Sequence, residues 1–421
     1  MKGSVDGCRA DVRDRISELP VEILDHIMGF LPVQQAAKTA VLSKVWRDVW
    51  FSLTRLCFDV IDDNFFRYFN HKYRAGSEYL EESLLFYVIS KVLLEHKGSI
   101  RKFECRHSSA RAETVRSRSF DMDQWLLLVT QRGVEETSLH FGLNEYKLPD
   151  CILSCSTLRR LDLYGLLIEP PQDSQCAFPN VTSLSFRCVQ FRSRNPSGYV
   201  VDVPKLENLS FIHCEDMFLF NINARNLCTL TIECWYTTQL GKFLPENLDL
   251  RSIRTLEMDN YTLQDFLGQY TTNGIALQLP LLNVELLKLS EFCFLDNAIA
   301  RVSAFVCLLC RCPKLRNLEI KFESRCVEDV YKFIDTTSRD LKNLRCVLRR
   351  HKTLLSLKIS SFKGLRPQLH FIKEMLACLP ALEKVVIICL PPMFGWNKKS
   401  DILEEILHFP CASPKAKIAY H

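Results

Sequence analysis

Between Leu139 and Ile387 the chain repeats one short pattern, L-x-x-L-x-L, in which two apolar residues alternate with polar ones, usually after a Pro or Asn. The apolar pairs are Leu139/Phe141, Leu161/Leu163, Leu184/Phe186, Leu209/Phe211, Leu230/Ile232, Leu256/Met258, Leu287/Leu289, Leu318/Ile320, Leu357/Ile359 and Val385/Ile387. Period-two alternation over so few positions predicts short strands, each burying one face. The first six pairs recur every 21 to 26 residues, and the later intervals widen to between 28 and 39. Such periods predict stacked units, each too small to bury its own apolar face, whose strands pair into a parallel sheet over a continuous core.

The wider intervals leave room for whole helices, and apolar residues at helical spacing predict them over 299–309, 327–334 and 369–379. Ahead of the repeats, 53–60 reads as a strand and 62–77 as a polar, aromatic connector. Leu80, Leu84, Val88 and Val92 mark a helix that stops at Gly98; a second runs from Asp121, with Trp125, Leu128 and Val129 inward, to Gly133. The Arg- and Ser-rich stretch 108–119 reads as an exposed loop. After the repeats, Ile402, Leu403, Ile406 and Leu407 predict a helix, and 417–420 a closing strand that covers the last open edge.

Residues 14–50 hold three short helix signals. Pro20 suits a first helical turn, with Ile23, Leu24 and Ile27 on one face before Leu31 and Pro32; 33–39 is Ala-containing; Ser43 offers an N-cap to a segment bearing Val45, Trp46, Val49 and Trp50. Periodicity alone fits a small helical subdomain whose apolar faces are core, yet fewer than forty residues cannot bury everything apolar they carry, so a partner is expected. The set Leu19-Pro20, Ile23-Leu24, Leu31-Pro32, Val41-Leu42-Ser43-Lys44, Trp46-Arg47 and Trp50 resembles an F-box of the kind common in plants. That resemblance implies docking on a Skp-type adaptor, and through it on cullin and RING subunits. It places adaptor binding, or the packing behind it, on Leu19, Pro20, Ile23, Leu24, Ile27, Leu31, Pro32, Leu42 and Trp46. Val45 departs from the basic residue many relatives carry.

The repeats resemble leucine-rich repeats (LRRs). The C-terminal stretch, with HKTLLSLKISSF, LPALEKVVI and ILHFPCASPKAKIAYH, is similar to the FBD tail of plant F-box/LRR proteins. The expected fold is thus α/β: a three-helix F-box over 14–52, a connector and capping region over 53–133, an LRR solenoid of parallel sheet with outer helices over 134–344, and an FBD-like cap over 345–421.

Composition changes little in this picture. Of 421 residues, 47% are hydrophobic and 24% charged, which is ordinary globular material. A net charge of +5 without a sustained basic run does not point to nucleic acid, and no stretch approaches the roughly 18 apolar residues of a membrane helix. The 19 cysteines, odd in number and scattered, suit reduced thiols in the nucleus or cytoplasm. Cys307, Cys310 and Cys312 lie closest together but lack a second Cys/His pair at zinc spacing, and Cys188, Cys214 and Cys234 follow their strands as packing residues. No G-x-S-x-G, Gly-rich phosphate loop, H-E-x-x-H or paired Cys-x-x-Cys site is present. No catalytic, metal or cofactor site is expected, and the chain reads as a non-catalytic subunit.

What remains is a binding face. If each apolar pair points inward, the outward positions include His140, Asp162, Tyr164, Ser185, Arg187, Ser210, Ile212, Thr231, Glu233, Glu257, Asp259, Lys288, Glu319, Lys321 and Lys358. Trp235 and Tyr236, flanked by Arg187, Ile212, Glu233 and Glu257, form the expected target-binding spot, because aromatic and Arg side chains dominate interfaces. Trp235 packed beneath the loop 237–244 is the alternative. The insertions 190–201 and 261–278 are further candidate contact loops. By resemblance the chain recognises an unknown protein target for an SCF-type ubiquitin ligase; alternatives are a ligand-sensing receptor of the same build and an F-box scaffold without ubiquitylation.

Overall fold

The computed structural model describes residues 15–59, 78–106, 117–141, 146–169, 178–234, 245, 248–268, 280–292, 298–323, 337–390 and 399–421. It divides into two compact units, Met1–Arg160 and Leu161–His421.

The first unit opens with helices α1 (Val21–Met28), α2 (Val33–Thr39) and α3 (Lys44–Phe51). Pro20 does not sit inside the first turn; it caps α1 from outside, where its fixed φ of −51° leads the chain in. Ser43 caps α3, its hydroxyl accepting from the Trp46 N–H at 3.4 Å. Strands β1 (Arg55–Asp59), β2 (Lys102–Arg106) and β3 (Glu136–His140) then pair in parallel, joined through α4 (Glu78–Glu95) and α5 (Ser119–Gln131). Phe58, Cys105 and Leu139 lie in register across them and are buried. The connector and capping stretch therefore holds the strand expected over 53–60, as β1, and a second repeat-like strand, β2, that was not expected. α5 begins at Ser119, two residues before the expected Asp121, and stops before Gly133, whose φ of +79° few side chains tolerate. Helix α6 (Asp150–Leu153) follows.

In the second unit every expected apolar pair lies on a strand. These are β4 (Arg160–Tyr164, straddling the division), β6 (Ser183–Arg187), β9 (Asn208–Ile212), β11 (Thr229–Glu233), β12 (Thr255–Asp259), β13 (Leu286–Phe292), β14 (Asn317–Phe322), β15 (Ser356–Phe362) and β16 (Lys384–Cys389). β17 (Lys417–Tyr420) closes the sheet beside β16, as expected. From β6 on, the pairs are in register. One file runs Leu184, Leu209, Leu230, Leu256, Leu287, Leu318, Leu357 and Val385; the next runs Phe186, Phe211, Ile232, Met258, Leu289, Ile320, Ile359 and Ile387. These two buried files are the core of the unit.

Interval length decides what lies behind the sheet. Where repeats are short, small parallel pairs fill the space: β5 (Leu167–Ile168) with β7 (Gln190–Phe191), and β8 (Tyr199–Asp202) with β10 (Phe220–Asn223). Phe191 and Phe220 stack there at 5.0 Å. The insertion 190–201 is thus partly sheet rather than a free loop. Where repeats are long, helices take over: α7 (Asn260–Gly268), α8 (Ala298–Arg311), α9 (Thr337–Arg350), α10 (Arg366–Cys378) and α11 (Lys399–Leu407). The expected helix over 327–334, the connector 62–77, most of the loop 108–119 and residues 269–278 of the second insertion lie outside the described residues. No helix among those described is long and apolar enough to cross a membrane.

Candidate functional site

The three N-terminal helices turn an apolar edge inward, and α1, α3 and the segments beside the helices leave a second apolar edge outward. Leu24 and Met28 of α1, Val33 and Ala36 of α2, and Trp46 and Val49 of α3 are buried together. Trp46 also donates its Nε1–H to Ser17 Oγ at 3.0 Å, fixing the chain just ahead of α1. Of the residues placed in adaptor binding or the packing behind it, Leu24, 0% exposed, and Trp46, 8% exposed, belong to the packing. Nothing can touch Leu24 from outside, because helices only seven or eight residues long have no other residues with which to close a core.

The outward edge is strongly apolar. Phe30 is 70%, Val41 84% and Leu42 69% exposed, and Leu19, Ile23 and Ile27 stand with them, beside Ile16, Val21 and Val45. Pro20 and Pro32 are exposed and Leu31 half-buried. Ile16, Val21, Phe30 and Val41 did not figure among the expected docking residues. The signal for Val41 was its place between helices, where the chain has no core to enter.

This edge is held on a firm base. The Asp25 carboxylate accepts from Thr54 N–H at 2.8 Å and Thr54 Oγ1–H at 2.6 Å, tying α1 to the entry of β1. The Lys97 N–H donates to Phe51 O at 2.7 Å, and buried His96 places Nε2 2.8 Å from Leu53 O while Nδ1 accepts from the Gly98 N–H. Burial holds the His96 pKa below its ordinary value, in keeping with a neutral ring. Gly98 passes so close to Ser52 that an added Cβ would lie 3.0 Å from its carbonyl oxygen.

On the outward face of the second unit, Arg187, Ile212 and Glu233 form one row across β6, β9 and β11, and Thr231 lies opposite Glu257. Four of the expected target-binding residues are thus neighbours; Trp235 and Tyr236 lie outside the described residues. The charges here largely satisfy one another. Arg187 pairs with Asp162 at 3.2 Å, Lys288 with Glu257 at 3.5 Å and Lys358 with Glu319 at 3.3 Å. The Ser290 hydroxyl lies 3.2 Å from Glu233 Oε1, and burial raises the Glu233 pKa. Asp259, expected on this face, is buried instead: its carboxylate accepts from the Cys234 and Thr262 N–H groups where the chain turns from β12 into α7.

Of the cysteines that follow their strands, Cys214 and Cys234 are buried and Cys188 half-buried, as packing groups are. Cys214 donates its thiol to Phe186 O, and burial pushes the pKa of Cys214 and of Cys312 up to about 12.

Residues 16–58 match the F-box domain, and residues 122–249 match the family described as FBD-associated F-box protein At5g56370, LRR repeats. The chain is similar to F-box/FBD/LRR-repeat protein At1g13570 of Arabidopsis thaliana, 27% identical with 97% of this chain and 98% of that one covered. F-box/LRR-repeat protein At3g59200 of the same plant is 32% identical over 55% of this chain, which spans 43% of that relative's length. F-box domains generally bind Skp-type adaptors, and F-box/LRR proteins typically act as non-catalytic adaptors in substrate recognition for SCF complexes.

Proposed function

We propose that this chain, a plant-type F-box/LRR-repeat protein with an FBD-like C-terminal region, is a target-recognition subunit of an SCF-type ubiquitin ligase, working in the nucleus or cytoplasm. It docks on a Skp-type adaptor through α1–α3, and through that adaptor reaches cullin and RING subunits. The second unit holds a protein target, whose local concentration near the charged enzyme is raised. Ubiquitin transfer belongs to other subunits.

The observation that carries this reading is the outward apolar edge of α1–α3. Phe30, Val41 and Leu42 stay largely exposed although the helices they border already have a closed core. Exposure of that kind is relieved when the helices lie in a partner's groove, with burial worth roughly 25 cal/mol per Å² of apolar surface. Arg187, Ile212 and Glu233 are the proposed centre of target contact.

Co-expression with a Skp-type adaptor, followed by size-exclusion chromatography, tests the docking. Wild type should elute as a stable one-to-one complex, and a Leu19→Ala/Pro20→Ala variant should elute free while its circular dichroism is unchanged. If both chains elute free of adaptor, the reading fails.

A further inference from the structure

The turns that enter successive strands of the second unit form a groove of about 610 Å³ that target contact on the sheet face does not use. Its charged lining is Arg225 ahead of β11, Arg251 and Arg254 ahead of β12, Lys314 ahead of β14, and the carboxylates of Glu207 and Glu285. Four cations thus stand against two anions. Among the described residues, none of the four has a carboxylate within 4.0 Å. The contrast within the same unit is sharp, since Arg187, Lys288, Arg345, Lys358 and Arg366 each have one.

The frame that carries these cations is tied down. Asn226 Nδ2 donates to Pro204 O at 2.8 Å, and Asn283 Nδ2 donates to Arg251 O at 2.8 Å, so each turn is stapled to the one before. Backbone bonds continue the series: Arg254 N–H to Cys228 O, and Glu285 N–H to Arg254 O, both 2.8 Å. A rigid turn array loses little entropy when it takes a ligand.

We propose that this rim is an anion-recognition groove for an acidic peptide segment of the target protein. Neighbouring strands lie about 4.8 Å apart, so the reach from Arg225 to Lys314 spans three spacings, about 14 Å. An extended peptide covers that length in four or five residues, placing two or three acidic side chains on one face. Guanidinium groups match carboxylates in a fork, which suits the three arginines. Glu207 and Glu285 disfavour a dense polyanion, and the lining has no aromatic ring on which a nucleobase would stack. The proposal rests on the reading of the second unit as the target-binding body and names the partner's chemistry; it does not depend on adaptor docking.

Fluorescence anisotropy on the full chain tests it, with a labelled peptide of alternating Glu and Ser as probe. Wild type should bind, and affinity should fall about tenfold or more as salt screens the contacts. Arg251→Glu/Arg254→Glu should weaken binding by about thirtyfold or more, and the neutral variant Arg225→Gln/Arg251→Gln/Arg254→Gln by about tenfold. Arg366→Gln, which removes a cation already paired with Glu405, should stay within about twofold. The neutral triple variant decides the matter if the charge-reversed one melts early. Equal binding by wild type and neutral variant overturns the proposal. So does equal affinity for a Ser/Lys peptide, or displacement of the peptide by inorganic phosphate at matched charge. A single-stranded RNA oligomer that binds more tightly with the same dependence on the arginines would reassign the groove to nucleic acid. Because no adaptor takes part, failure here leaves the F-box reading standing, and the reverse holds too.

Discussion

The helices α1–α3 turn Phe30, Val41 and Leu42 to water, whereas the repeat strands turn out Glu257, Lys288, Glu319 and Lys358, which pair among themselves. An exposed apolar edge gains free energy from almost any complementary groove and little from its own chain. That suits one partner of constant shape. A face of paired charges gains almost nothing on average, because a partner must replace each ion pair it disrupts. Such a face discriminates more than it attracts. On the proposed function, the same chain separates the task of being held from the task of choosing.

The largest expected effect breaks the first surface from within. Leu24→Ala opens a cavity in the small core that α1–α3 share and should destabilise the first unit by about 2–5 kcal/mol. Loss of adaptor binding would follow from loss of structure, visible as a lower melting temperature. Val41→Asp/Leu42→Asp should remove binding differently. About 3 kcal/mol of interface energy, a hundredfold or more in Kd, should go by calorimetry with the adaptor, at a melting temperature within a degree or two of wild type. If the two variants lose stability alike, the division into inner and outer edges is wrong.

Asp25→Ala sharpens the contrast on a smaller scale. It leaves the outward edge untouched but strips Thr54 of both acceptors, which should cost about 1–3 kcal/mol. Faster hydrogen exchange at the Thr54 amide, with adaptor affinity retained at low temperature, is the expected result. Retained protection at Thr54 would mean that α1 is anchored by its apolar contacts alone.

Much of this was legible in the sequence, for a reason that differs by region. The ten apolar pairs mark strands because each sits in a period-two burst whose inner residues have nowhere to go but the shared core. β2 was hidden: Lys102-Phe103-Glu104-Cys105-Arg106 carries charges at every outward position and lies at the head of an Arg-rich stretch. The short strands around Phe191 and Phe220 were hidden because two to four residues show no period. Alternation misplaced Asp259, since β12 ends there and the carboxylate turns inward to serve α7. In α1–α3 the identities of the apolar residues were plain but not their direction. A helix of two turns that is apolar on two edges gives no sign of which edge meets its own chain, and Leu24 and Trp46 were grouped with residues that face out. The cationic rim gave least signal of all. Arg225, Arg251, Arg254 and Lys314 are dozens of residues apart and become neighbours only when the strands stack.

The smallest effect expected concerns the electrostatics beneath the second face. Burial, with Asp259 and Glu257 nearby, raises the Glu233 pKa in the folded state. A carboxylate whose folded pKa lies above its unfolded value binds protons more tightly when folded, so its contribution worsens as pH climbs past the ordinary glutamate range near 4.3. His96 in the first unit has the opposite slope. Its folded pKa is depressed, so the unfolded chain takes up the proton more readily and stability falls as pH drops below about 6.5. Acidification from neutral pH should thus weaken the first unit through His96 and, at Glu233 itself, relieve a buried charge; His213 and His351 of the second unit, also held low by burial, share the slope of His96. Glu233→Gln keeps an acceptor for Ser290 and removes the charge; it should raise the melting temperature at pH 7, and the gain should shrink toward zero as wild-type Glu233 becomes protonated. A gain that stays constant across that range would show that Glu233 acts through packing and not through its charge, and would remove the electrostatic half of the contrast between the two faces.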